Sequence, residues 1–471
     1  MHRFLGVSLL VVVLGLAGAG MASAQGFGVY EQGACMMGRG GAGVADPCPD
    51  GSGIFFNPAG LSFDAKVITL GGTMIGPSGT FTDTSTTSMK GTISTLNKNW
   101  YPVPNIYMTV PVAKKYAFGV GVFAPYGLTT DWPVTSQGRY LGYKSVVQGL
   151  YIQPTFAVKI SDKVSLGFGV DVTHLNVELD QRADLSVQPL GTTGLTFAQL
   201  NLLCPASVCG TVPQGTDFAD IQLKGNTWNY GYHVGAQFKV NDRFSIGMRY
   251  LGGQKVNVSD GAIATSQISV PGVKVPVAGP SGTTFIPVDT VLASQFAAGG
   301  TLSNQSAKTS IPLPAQFVAG VAIKASQNAK LFFDYQFTNW SAFDNLTIDG
   351  QYLDKNIPEN YRNANGFRMG TEIGSEKAQF RAGFNVHGPA APDQSVTPNL
   401  PEGSRQELML GVGSKLSKAV RLDFSYMYLH QPDRAGRTGA GVNPAAPTPA
   451  DNNGTFAFKG HLFGLSMSIR F

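Results

Sequence analysis

Only 13% of the 471 residues are charged, 59 are glycine, and mean hydropathy is close to zero. A soluble chain of this size carries nearer ~25% charge, and a formal net charge of +5 is too small and too dispersed to suggest a nucleic-acid partner. Length alone suggests two or three domains, yet a single barrel can be this large.

His2 and Arg3, the apolar run Phe4 to Gly20 and the small-residue site Ala22-Ser23-Ala24 read as a secretory signal over residues 1–24. Residues 25–63 lack any period of two. They are rich in glycine (Gly38-Arg39-Gly40-Gly41-Ala42-Gly43) and contain Ile54-Phe55-Phe56 followed by the turn signal Asn57-Pro58-Ala59-Gly60. In an exported chain the close pairs Cys35/Cys48 and Cys204/Cys209 predict disulfides. No histidine lies near either pair, so no metal is expected.

From there on the pattern alternates. Leu150, Ile152, Pro154, Phe156, Val158 and Ile160 share one face, with Tyr151, Gln153, Thr155 and Lys159 opposite, and a period of two is a strand. The same reading predicts strands at about 66–76, 103–113, 116–124, 146–160, 163–178, 227–240 and 243–258, then at 314–325, 329–338, 366–374, 378–388, 405–416, 419–430 and 460–471. These are joined alternately by two or three residues, as at Lys114-Lys115 and Asn241-Asp242, and by much longer segments, the longest at about 179–226 and 259–313. An even number of strands with short turns on one side and long loops on the other is the arrangement of an outer-membrane barrel. The expected fold is an all-β membrane protein: a fourteen-stranded antiparallel transmembrane β-barrel over residues 64–471.

Fourteen strands enclose more space than side chains can fill, so residues 25–63 are expected to fold back inside as a plug. Phe27, Val29, Tyr30, Phe55 and Phe56 are its apolar side chains, available for anchoring the plug or for touching a ligand. In the longest loops, Phe197, Leu200 and Phe296 belong to apolar clusters that could form loop cores or a capture surface. Pro125 follows the third strand and either ends it or bends it, because proline cannot donate to a ladder. Trp100, Tyr101, Trp132, Trp228, Tyr230, Trp340, Tyr426 and Tyr428 read as interfacial girdles.

An export signal, a glycine-rich opening, the aromatic-aromatic-Asn-Pro-Ala-Gly run and then a barrel resemble the FadL family of outer-membrane transporters of long-chain fatty acids and other hydrophobic compounds. Further matches lie along the chain: Trp228-Asn229-Tyr230-Gly231-Tyr232, Leu313-Pro314, Asn339-Trp340-Ser341 and a terminal Phe471. The resemblance implies an N-terminal hatch inside a fourteen-stranded barrel in the outer membrane of a Gram-negative bacterium, with no cofactor and no enzymatic activity. It implies that cargo is captured in a loop groove, passes to a pocket beside Phe27 and Asn57, Pro58, Ala59 and Gly60, and leaves sideways. The exit would lie at a kinked third strand, at Phe123, Pro125, Tyr126 and Gly127. Arg182 and Lys355 resemble the family's basic residues near the pocket. The expected partners are a fatty acid, hydrocarbon or detergent-like lipid and the lipid of the outer membrane, with the protein a monomer. A general diffusion porin is the alternative. An outer-membrane lipid hydrolase is a weaker one, since His174, His233, His387, His430 and His461 are scattered and no G-x-S-x-G accompanies them.

Overall fold

The computed structural model describes residues 26–84, 91–190, 194–375, 377–436 and 454–471. The secretory-signal segment, 1–24, lies outside the described residues. Fourteen strands form one antiparallel wall: Val67–Asp83, Tyr101–Val112, Tyr116–Asp131, Lys144–Lys159, Val164–Ala183, Ala219–Asn241, a seventh in two parts (Phe244–Leu251 and Gln254–Gln267), an eighth in two parts (Gln305–Leu313 and Gln316–Ser326), Ala329–Thr338, Ala364–Gly374, Ala378–His387, Arg405–Lys415, Val420–Gly436 and Gly454–Arg470. The first strand pairs with the last from Val67↔Arg470 to Asp83↔Gly454, which closes the barrel. No helix among the described residues is long and apolar enough to span a membrane; the crossing is made by strands.

Each strand turns one row of side chains to lipid and the other to the lumen. Leu70, Phe118, Phe156, Phe168 and Leu410 are exposed on the outer face, while Thr69, Tyr107, Gln153, Thr173 and Asp423 are buried inside. The outer ends of several strands run well past the alternating stretches in the sequence. The sixth begins at Ala219 because Ala219–Lys224 pair with both the fifth and the seventh strands above the membrane. There Ala219, Ile221 and Leu223 are buried on the inner face while Asp220, Gln222 and Lys224 lie on the outer, so the alternation continues with its sense reversed from that of the lipid-facing stretch.

The lumen is filled by residues 26–63, nearly all of them buried. The segment carries two short helices, Ala34–Gly38 and Gly53–Phe56, and a 3₁₀ turn, Pro58–Phe63. Side chains of the wall satisfy its backbone, as a buried non-repetitive segment requires. Asp334 accepts from the amides of Gly43 and Val44 at 2.8 and 3.0 Å. Gln237 donates to Ala45 O at 2.6 Å, Ser165 to Ala59 O at 3.0 Å and Thr69 to Asp50 O at 2.6 Å.

Close approach is made possible by wall glycines. A Cβ on Gly247 would overlap the Val44 carbonyl, one on Gly370 the Arg39 carbonyl, one on Gly383 the Gly40 amide and one on Gly167 the Pro58 backbone. Asn57 ties the turn down by donating to Val44 O and Ala236 O and accepting from Ala59 N. The Cys35–Cys48 disulfide closes this segment on itself, and Cys204–Cys209 closes a turn in an outer loop.

The aromatic girdle is smaller than the sequence suggests. Trp100, Trp228 and Tyr230 are exposed at the wall, but Trp132 and Trp340 are buried. Trp340 packs edge-on against Phe27, with ring centroids 4.7 Å apart, and Trp132 donates to Pro398 O beneath a loop. Position near a strand end does not say which side of the wall a ring takes.

Candidate functional site

The second and third strands are paired only from Ile106↔Val122 to Val112↔Tyr116. Above that point Tyr101–Asn105 and Phe123–Asp131 lie side by side with no ladder between them. Pro102, Pro104 and Pro125 all lie in this stretch and none can donate an amide hydrogen bond. The third strand does not end at Ala124. It continues to Asp131 through a bulge, its register with the fourth strand shifting between Phe123↔Tyr151 and Tyr126↔Gly149. At the bulge the N-terminal segment takes the place of a neighbouring strand: Val29 N donates to Pro125 O at 2.8 Å and Gly127 N donates to Phe27 O at 2.9 Å.

A cavity of about 560 Å³ occupies this gap. Its inner lining includes Gly28, Val29 and Glu31 of the plug with Met427 and Leu462 of the wall; its rim includes Tyr101, Pro104, Gly127 and Leu128; Leu150 and His174, on the lipid side of the neighbouring strands, line it as well. One space therefore reaches from the edge of the plug through the wall to the bilayer.

Ionisable groups at its inner end are Glu31, Glu402, Glu407 and Arg405. Arg405 donates to Gly26 O at 2.9 Å. Burial, and then the neighbouring Glu407 carboxylate, push Glu31 up to about 7, with Arg368 opposing the shift. Glu402, on the loop before the twelfth strand, accepts from the amides of Ala390 and Ala391, and burial still holds it above the usual carboxylate range.

The plug aromatics form its core and not the cavity wall. Tyr30, Phe55 and Phe56 meet edge to face with centroids 4.9–5.5 Å apart. Arg249 donates to the Tyr30 hydroxyl at 2.6 Å, and the Arg368 guanidinium lies 3.3 Å from the Tyr30 ring centre. Phe27 sits above them between Tyr126, Trp340 and Phe343. Phe123 faces inward against Phe55, Tyr107 and Tyr151. Tyr126 lines the cavity and is held by its hydroxyl, which donates to Pro314 O and accepts from Gln316 at 3.0 Å.

Arg182 and Lys355 do not line this cavity. Arg182 lies 3.9 Å from Asp220 and under the ring of Tyr143. Lys355 donates to Gln181 at 3.0 Å beside a much smaller apolar cavity of about 40 Å³ beneath the outer loops. Phe197 and Leu200 are buried in a loop core with Cys204, Cys209, Val273 and Leu292, and Phe296 packs on its edge. Among the described residues of that loop, Val187, Leu202, Leu203 and Val208 are large apolar side chains left exposed. Glu31, Glu402 and Glu407 were not legible as site residues, because a lone carboxylate in a sequence carries no sign of which space it faces.

Four comparisons agree with this architecture. A long-chain fatty acid transport protein of Salmonella typhi is 22% identical over 417 residues, covering 86% of this chain and 87% of that one. Outer membrane protein P1 of Haemophilus influenzae is 24% identical over 443 residues, covering 90% and 89%. Among solved structures, a Pseudomonas aeruginosa FadL homologue superposes with TM-score 0.75 at 20% identity, over 95% of this chain and 100% of that one. The Pseudomonas putida toluene transporter TodX gives 0.64 at 15% identity, over 95% and 99%. With residues 15–471 matching the model of the outer membrane protein transport protein family (OMPP1/FadL/TodX), the chain belongs to that family of outer-membrane transporters of hydrophobic compounds.

Proposed function

We propose that this protein takes up hydrophobic small molecules and releases them sideways into the outer membrane through the gap between the second and third strands. The carrying observation is the single cavity that touches both the plug and the lipid side of the wall. A hydrocarbon gains about 0.8 kcal/mol for each CH₂ removed from water, so release into a wet periplasmic mouth would be unfavourable and lateral release avoids it. Exposed Leu202 and Val208 on the outer loop are the residues suited to first capture.

Uncharged hydrocarbons suit the inner end better than ionised fatty acids. Three carboxylates, Glu31, Glu402 and Glu407, line the cavity against two cations, Lys459 and Arg405, and Arg405 already donates to the plug. Toluene-type aromatics and alkanes fall in this class, and relatives described as a fatty acid transport protein and a toluene transporter show that both cargoes occur among similar chains.

Joining the edges of the gap tests the route. In the double variant Pro104→Cys/Ala124→Cys, oxidation should abolish uptake of a radiolabelled alkane while each single variant transports normally. Undiminished uptake by the crosslinked protein rules out the lateral route.

A further inference from the structure

The bulge leaves Ala124 without a ladder neighbour on either side: pairing with the second strand stops at Val122, and pairing with the fourth skips from Phe123 to Tyr126. Both of its backbone groups are nonetheless bonded. Gln32, wholly buried, donates from Nε2 to Ala124 O at 2.7 Å and accepts at Oε1 from Ala124 N at 3.2 Å. A primary amide carries a donor and an acceptor side by side, the same pair that a neighbouring strand presents. An ionised glutamate lacks the donor and leucine lacks both.

Gln32 is itself held from three directions. Its Nε2 also donates to Val29 O at 3.2 Å, its amide nitrogen donates to Tyr30 O at 3.0 Å, and the Tyr107 hydroxyl donates to Gln32 O at 2.8 Å. Next to it, Glu31 O accepts from Thr73 at 3.0 Å. The segment that carries Gln32 is thus anchored to the first and second strands, while its side chain reaches the third across the gap. Its neighbours Val29 and Glu31 line the cavity.

We propose that Gln32 is the positioning residue of the lateral opening: its amide substitutes for the missing strand at Ala124, so that the plug, together with the fourth strand, sets where this edge of the opening stands. This rests on the lateral route proposed above. It also means that cargo pressing on Val29 and Glu31 acts on the residue that holds the opening's edge.

The test uses full-length protein in liposomes, spin-labelled at Pro102→Cys and Thr129→Cys on the two edges; the native cysteines are all in disulfides and take no label. Label separation is measured for native Gln32, Gln32→Leu and Gln32→Glu, and uptake of a radiolabelled alkane is measured on the same three without labels. With Gln32 the separation is narrowly distributed. Gln32→Leu should widen the distribution and lower uptake by about tenfold, the scale of one or two lost hydrogen bonds. Gln32→Glu, which keeps the acceptor, should lie between the two, an order that a general loss of packing does not give. If Gln32→Leu does not insert, the same widening is required of Gln32→Glu. A distribution unchanged from native overturns the proposal. Widening with undiminished uptake sustains the positioning role and overturns the lateral route instead.

Discussion

The carbonyl of Arg39 lies against Gly370 so closely that no side-chain carbon fits on that glycine. The contact joins the plug to the tenth strand through backbone alone, and the same holds for Gly40 on Gly383 and Val44 on Gly247. A Gly370→Val substitution inserts volume where nothing can yield, a class of change that costs about 1–3 kcal/mol. It should unseat the plug while leaving the barrel folded. Limited proteolysis in detergent is the measurement: residues 26–63 become cleavable in the variant, and continued protection would mean that the plug is held by other contacts.

Glu31 gives a pH dependence whose sign follows from its raised value. Between about 4.5 and 7 the folded protein keeps a proton that the unfolded chain releases, so this group's contribution to stability declines as pH rises through that window and stays unfavourable above it. Below about 4.5 both states are protonated and the group contributes nothing. Glu31→Gln should therefore match the native thermal midpoint at the acid end and exceed it above about 7. A native midpoint that rises across the window, relative to the variant, contradicts the assignment.

Arg182→Ala breaks contacts with Asp220 and Tyr143 and touches no part of the cavity. Alkane uptake should stay within about twofold of native, since a part-exposed ion pair contributes ~1 kcal/mol or less. Lys355→Ala should behave in the same way. A large loss in Lys355→Ala alone would place cargo in the small cavity beneath the outer loops, which Lys355 lines.

Phe197 and Leu202 separate the two roles of the outer loop. Phe197→Asp puts a charge into a core that includes the Cys204–Cys209 turn and should loosen the whole loop, seen as faster amide exchange over 197–212. Leu202→Asp alters an exposed position and should leave exchange unchanged while lowering uptake severalfold. Equal uptake in Leu202→Asp and native protein removes this loop from the capture step.

The wall was the most legible part of the sequence. All fourteen strands follow from period two, because lipid on one side and the plug or water on the other force alternation within the membrane. Past that stretch the alternation of the sixth strand reverses its sense, apolar Ala219, Ile221 and Leu223 turning inward, and Ala219–Lys224 were read as loop although they are paired on both sides. Pro125 marked the right place on the third strand, yet a proline alone does not distinguish an end from a bulge; that choice depends on whether something bonds the residues beyond it, and Phe27 and Val29 do. Plug residues were identified by their lack of pattern, and for the same reason their facing could not be read. Tyr30, Phe55 and Phe56 turned inward to one another, while Gly28, Val29 and Glu31 met the cavity.

The glycine seats have a further consequence for the cell. Where main chain rests directly on main chain no water fits between, so each such seat narrows the aqueous path that salts and polar antibiotics would need to pass the plug.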